Sequence, residues 1–305
     1  MALFLINKEK LNLIDEIQFK YEKEIQLITE NNLSELFGLD FVKSEFQLNN
    51  FRIDTLAFDK QTNSFVIIEY KRDKNFSVID QGYAYLSLML NNKADFILEF
   101  NENNKNAIRK NDVDWSQSKV IFIAPQFTTY QIESINFKDL PIELWEIKKY
   151  SNHTVNFNQI QRTGASESIK TVSKQNKDID QVNKEIKVYT ENDHFEKASD
   201  ETIELYEKIR DYILNIADDI SVKPKKIYIA FIAKKNIADI QLQKNSLKLW
   251  INLTKNKLSD LKKITRDVSN VGHHGNGDYE LTIENDNDIE YIISLIKQSY
   301  YENKK

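Results

Sequence analysis

Apolar positions recur along the chain at two different spacings, and the alternation between them predicts an order of elements. In residues 13–36, Leu13, Ile17, Tyr21, Ile25 and Ile28 return at about one helical turn, which predicts one amphipathic helix ending at Gly38. The runs 41–48, 51–58 and 64–70 alternate apolar and polar residues, as strands do, with Lys-Gln-Thr-Asn at 60–63 as a polar turn between the last two. Residues 77–90 predict a helix capped by Ser77, with Asp80 three positions later. Strands at 94–100 and 118–124, a helix at 126–135 and a strand at 141–147 complete the first half. Residues 151–198 are polar and poor in aromatics, which predicts a linker with at most a short helix. Structure then resumes with a helix at 200–216, strands at 226–233 and 246–253, a short helix at 258–264, a glycine-rich turn, a strand at 278–283 and a closing helix at 286–301. No tandem repeat is visible. The expected division is therefore a domain over 1–150, a linker over 151–198 and a second domain over 199–305.

Composition narrows the function classes. The 305 residues are 41% hydrophobic and 29% charged, as in a globular protein able to bury a substantial core. No apolar run reaches the length of a membrane span. The opening Met-Ala-Leu-Phe-Leu-Ile-Asn returns to charge too soon for a signal peptide. There is no cysteine, which excludes disulfides, thiolate nucleophiles and cysteine zinc sites, and a cytoplasmic location is expected. The net charge of −5 leaves no basic domain, so contact with nucleic acid would have to use local patches, among them Lys71, Arg72 and Lys74.

Charged residues inside the two predicted strands change the picture most. Asp54 interrupts the run 51–58, and Glu69 and Lys71 interrupt the run 64–70. Strand side chains alternate faces, so Glu69 and Lys71 share one face while Val66, Ile68 and Tyr70 take the other. By the same rule Arg52, Asp54 and Leu56 oppose Ile53 and Thr55. A hairpin through 60–63 brings Asp54 toward Glu69 and Lys71. Carboxylates buried side by side are costly without a compensating cation. A hard divalent ion held by one or two carboxylates, phosphate and water fits that need. A neighbouring lysine can orient water or steady a phosphate. The competing reading is a surface aspartate beside a Glu–Lys pair on a solvated sheet face.

Asp54, followed about fifteen positions later by Glu69-Tyr70-Lys71, resembles the PD-(D/E)XK nuclease superfamily, with Ile53 in place of the proline. Gln81-Gly82-Tyr83-Ala84-Tyr85 resembles the Q-x-x-x-Y helix motif of RecB-like and lambda-exonuclease-like members, and at this spacing Gln81 and Tyr85 share a helix face. The resemblance covers about residues 13–147. It implies an α/β, restriction-endonuclease-like domain with a mixed central sheet flanked by helices. It further implies phosphodiester hydrolysis with Mg2+ or Mn2+, on DNA in preference to RNA. Asp54, Glu69, the Tyr70 carbonyl and a first-helix glutamate, Glu22, would hold the metal. Lys71 would position water, and Gln81 and Tyr85 would brace the site or meet the substrate. Arg52, Arg72 and Lys74 would contact substrate. The alternative is an inactive nucleic-acid-binding or protein-interaction scaffold.

The second half, expected to be a smaller α+β domain, resembles domain-of-unknown-function family 5655, whose members are often labelled predicted transport proteins. The lack of any span argues against carrying that label over. Recognition of substrate or of a protein partner, a second copy included, is expected of this domain. His273 and His274 in Val-Gly-His-His-Gly-Asn-Gly-Asp could bind metal or phosphate with Asp278, but turn geometry explains the three glycines more simply. Tyr228, Phe231 and Trp250 would serve as a base-stacking platform or as core. Lys225, Lys226, Lys234 and Lys235 would make a phosphate edge or a solvated one.

Overall fold

In the computed structural model, residues 2–72, 77–137, 139–162, 167–169 and 177–304 are described. The chain divides into two compact units, Met1–Val188 and Tyr189–Lys305.

The first unit begins with a hairpin, β1 (Leu3–Asn7) and β2 (Lys10–Ile14), followed by the short β3 (Glu16–Ile17). Helix α1 (Glu22–Glu30) and the short α2 (Leu33–Phe37) come next, and Gly38 closes α2 at φ 67°. The long helix expected over 13–36 is therefore replaced by strands up to residue 17. Leu11 and Leu13 alternate as strand residues do, and the i, i+4 series that runs on from Leu13 hid this shorter period. β4 (Asp40–Leu48), β5 (Phe51–Asp59) and β6 (Ser64–Tyr70) form an antiparallel meander. α3 (Val78–Asn91) and α4 (Lys93–Asn103) lead to β7 (Lys119–Ala124), which pairs parallel with β6. α4 occupies the stretch expected as a strand. Phe96 and Phe100 lie one turn apart and pack edge-on against Phe65, a spacing that a helix satisfies and a strand does not.

After α5 (Thr129–Ser134), β8 (Ile142–Tyr150) adds parallel to β7, and β9 (Val155–Gln159) folds back on β8. The sheet runs β3-β8-β7-β6-β5-β4, with β9 also on β8. This mixed sheet is flanked by helices on both faces, the arrangement expected from the sequence. Ile25 of α1 and Leu33 of α2 pack with Val66, Ile68 and Tyr70 on one face. Leu86 and Met89 of α3 and Phe96 of α4 pack with Phe65, Ile67 and Phe122 on the other.

The described residues of 151–188 belong to the first unit and are not the free linker expected over 151–198. Besides β9, a helix α6 (Lys177–Glu185) belongs to the first unit. Ile169, Val182 and Ile186 are buried in the core beneath α3. Tyr83 donates to Asn183, and the Arg162 guanidinium donates to the carbonyls of Phe137, Leu140 and Ile142. A few apolar side chains, spaced for one face, dock a segment whose average composition is polar.

The second unit contains α7 (Glu191–Phe195) and α8 (Asp200–Leu214). The six-stranded sheet comprises β10 (Ser221–Pro224), β11 (Ile229–Ile232), β12 (Asn236–Leu242), β13 (Leu247–Ile251), β14 (Arg266–Asp267) and β15 (Tyr279–Ile283), in the order β10-β11-β12-β13-β15-β14. The helix α9 (Ile289–Asn303) closes the chain. Every pairing is antiparallel. Tyr206 and Ile209 of α8 and Ile292 and Ile296 of α9 share one core with Phe231, Ile240 and Leu249. The short helix expected at 258–264 is absent; that stretch is turn and coil.

Candidate functional site

The backbone ladder between β5 and β6 ends at Thr55 opposite Ile68. One position further, the same register sets Asp54 opposite Glu69. There the strands part, and a side chain takes over: the Tyr70 amide donates to Asp54 Oδ2 at 3.1 Å. Opposite Asp54 on β4, Glu45 adopts φ 54°, a left-handed backbone that breaks the regular pleat. Strict alternation also fails here. Ile53 is buried in the same core as Leu56, although the period-two rule assigns them opposite faces.

Glu69 is the buried member, 4% exposed, at the end of a strand whose other six residues are also buried. Its Oε1 receives two donors: Lys71 Nζ at 2.8 Å and Gln81 Nε2 at 2.9 Å. Gln81 also donates to the Tyr85 hydroxyl, which donates in turn to the Arg52 carbonyl. One face of α3 thus reaches across to the end of β6. Ser77 makes this possible by capping α3, accepting the Asp80 amide. Gly82 lets the helix approach closely, since a Cβ there would lie 2.5 Å from Ile142 Cδ1. The second oxygen, Glu69 Oε2, is buried with no hydrogen-bond partner. An orphaned carboxylate oxygen is expensive inside a protein. Burial, with the Glu69 charge adding to it, pushes the Asp54 carboxyl up to about 6. Burial likewise raises the Tyr85 phenol.

Asp54, Glu69, Lys71, Gln81 and Tyr85 therefore form one connected cluster at the C-terminal end of β6. Tyr70 sends its ring to the opposite face, where its hydroxyl meets Thr55 Oγ1 at 3.0 Å. Glu22 does not join the cluster. It is exposed, and its Oε1 accepts the Arg72 amide at 2.8 Å just past the strand end. Among the described residues no three acidic or histidine side chains converge as a metal-ligand group. Arg52 pairs with Glu45 at 3.0 Å, and Arg72 donates to the Lys20 carbonyl. Lys74 lies outside the described residues. Sequence reasoning missed two supporting residues. Glu45 bears on the charge of Asp54, and Gln26 of α1 donates to the Asp54 carbonyl at 2.8 Å. Neither lies in a motif. Their only sequence signal was a polar residue within an apolar pattern.

In the second unit the proposed stacking aromatics are core. Phe231, Trp250 and Tyr228 are all buried. The histidine loop is held as a turn. Buried Asp239 accepts the Asn276 amide and side chain, and a Cβ at Gly275 would strike the Trp250 ring at 2.4 Å. His273 Nδ1 sits 2.8 Å from the Val271 carbonyl.

Three comparisons place the chain among known proteins. Residues 191–303 match the family model described as a domain of unknown function, DUF5655. An uncharacterized protein of Haemophilus influenzae is 51% identical over 299 residues, which covers 98% of this chain and 99% of the relative. Solved structures of similar shape include an EndoMS–dsDNA complex, with 15% identity over 47% of this chain and a TM-score of 0.28. A repair endonuclease from Pyrococcus abyssi gives 15% identity, 48% coverage and a TM-score of 0.24. The chain spans about half (49%) of the first of these structures and 64% of the second. No helix among the described residues is long and apolar enough to cross a membrane.

Proposed function

The chain belongs to the family of that Haemophilus influenzae protein, and we propose that its N-terminal unit is a metal-dependent nuclease, hydrolysing phosphodiester bonds in DNA in preference to RNA. One observation carries the reading: Asp54, one position beyond the last β5–β6 pair, lies near enough to Glu69 to feel its charge, and Glu69 Oε2 is buried without a partner. Such an arrangement is unfavourable for a purely structural pair and suited to a divalent cation.

The donor set fits a hard cation. Asp54 and Glu69 are oxygen ligands, and Mg2+ commonly takes one or two carboxylates and completes its shell with water and substrate phosphate. The Tyr70 carbonyl is a further oxygen at the same strand end. When bound, Mg2+ or Mn2+ would supply Lewis-acid polarisation of the phosphate and a more acidic water. The chain's own residues do the rest. Lys71, in hydrogen-bond contact with Glu69, is placed to steady the attacking water or a phosphate oxygen. Gln81 holds Glu69 Oε1, and the Tyr85 hydroxyl accepts from Gln81. The C-terminal unit then reads substrate or partner.

The test is incubation of the full chain with single- and double-stranded DNA and RNA, with and without Mn2+. Metal-dependent cleavage should occur, and Asp54→Asn should abolish both cleavage and calorimetric Mn2+ binding. Lys71→Ala should lose cleavage by roughly 10²-fold or more while still binding Mn2+. A wild-type protein that binds no Mn2+ and cuts none of the four substrates would refute the nuclease reading.

A further inference from the structure

Helix α1 reaches the candidate site through one buried amide. Gln26 lies on the α1 face that packs on the sheet and is 4% exposed. Its Nε2 is 2.8 Å from the Asp54 carbonyl, 2.9 Å from Glu30 Oε1 and 3.1 Å from Ser44 Oγ. Its Oε1 accepts from Lys23 Nζ at 3.1 Å. A lysine ammonium only donates and a carbonyl only accepts, so the two ends of the Gln26 amide are not interchangeable. One turn further along α1, Glu30 Oε1 also accepts the Thr55 hydroxyl at 2.6 Å. Two neighbouring residues of β5, Asp54 and Thr55, are thus held from one face of one helix.

That hold falls where the sheet supplies little of its own. The β5–β6 pairs stop at Thr55, and the β4–β5 pairs pass from Ser44–Thr55 to Phe46–Ile53 without Asp54. Glu45, opposite Asp54, is at φ 54°. Asp54 therefore keeps the Tyr70 amide on its side chain and Gln26 on its carbonyl. A carboxylate is aimed by its backbone as well as by its own partners. Groups that orient a metal ligand in this way set metal affinity without touching the metal.

We infer that Gln26 is a positioning residue: it fixes the Asp54 peptide and thereby sets the affinity of the Asp54–Glu69 site for its divalent cation. The inference rests on the nuclease function proposed above. It assigns to a buried side chain of α1, outside every motif, a share in how tightly that site is loaded.

The full chain is titrated with Mn2+ by calorimetry, and DNA cleavage is followed against Mn2+ concentration. Gln26→Met keeps the side-chain length and packs in an apolar setting, but it donates no hydrogen bond. It should weaken calorimetric Mn2+ binding roughly tenfold or more. The Mn2+ concentration for half-maximal cleavage should rise by the same factor, with kcat at saturating Mn2+ within about twofold of wild type. Ser44→Ala removes another neighbour of the same amide and leaves the Asp54 contact, so it should bind Mn2+ as the wild type does. Gln26→Asn, one methylene shorter, is the second variant should Gln26→Met fail to fold, and the same shift is expected of it. Unchanged Mn2+ affinity in a folded Gln26 variant overturns the inference and leaves the nuclease reading standing. So does a lower kcat with an unmoved Mn2+ half-saturation, which reports a smaller folded fraction. Failure of both variants to fold makes Gln26 a residue of the fold alone and also overturns it. A wild type that binds no Mn2+ and cuts nothing overturns the inference and the nuclease reading together.

Discussion

At the scale of single residues, burying Asp54 beside Glu69 costs stability, a cost that a cation would relieve under the proposed function. The folded-state value of Asp54, about 6, lies above the ordinary 3.8. Between those values the folded protein keeps a proton that the unfolded chain has released. The stability this group contributes is therefore full below about pH 4 and lost as pH rises through 6. Above that range the Asp54 carboxylate is charged in a largely buried position beside Glu69. Asp54→Asn should raise metal-free stability near pH 8 by roughly 1–2 kcal/mol, after discounting for partial solvent screening, and the gain should vanish near pH 4. Mn2+ should raise the melting temperature of the wild type and leave the variant unmoved. Denaturation curves at the two pH values decide this. A variant no more stable than wild type near pH 8 would mean the pair is not under electrostatic strain.

At the scale of elements, α3 is the piece that brings Gln81 and Tyr85 to Glu69 near the end of β6 and to the Arg52 carbonyl of β5. Its capping at Ser77 is local and was readable from Ser77 and Asp80. Its distance from the sheet is not local. That distance depends on Gly82 lying against Ile142, which is about sixty positions away and belongs to β8. Gly82→Leu should cost roughly 2–3 kcal/mol by overpacking. It should also push Gln81 away from Glu69, so cleavage should fall even at temperatures where the variant is fully folded. Activity that merely tracks the folded fraction would separate α3 from the chemistry. The same scale explains the misread elements. Residues 94–100 are a short apolar run, for which helix and strand periods are hard to tell apart. Phe65 decided in favour of the helix by receiving both Phe96 and Phe100 on one side.

At the scale of the whole molecule, the boundary between the units falls at residue 188, well beyond where composition changes. A fragment ending at residue 150 would lose β9 from the edge of β8 and uncover the pockets of Ile169, Val182 and Ile186. It should be insoluble or unfolded, whereas a fragment ending at residue 188 should fold with a cooperative transition and keep the Asp54–Glu69 pair. Expression, solubility and thermal melting of the two fragments test this. A well-folded fragment 1–150 would restore the linker that the sequence suggested.

The sequence by itself determined the α/β class of the first unit, its strand meander and capped helix, and the presence of acids and a lysine where apolar residues belong. These follow from period, turn chemistry and side-chain alternation, all of which act over a few neighbouring residues. Only the tertiary structure decided which polar residues meet. Gln26 reaches Asp54 from another helix, Glu45 turns its backbone left-handed beside it, and Glu22 spends an oxygen on the Arg72 amide. Whether 151–188 is linker or core was likewise a tertiary matter. A mean composition records how polar a segment is on average, while docking depends on whether its few apolar side chains find a groove of the right shape.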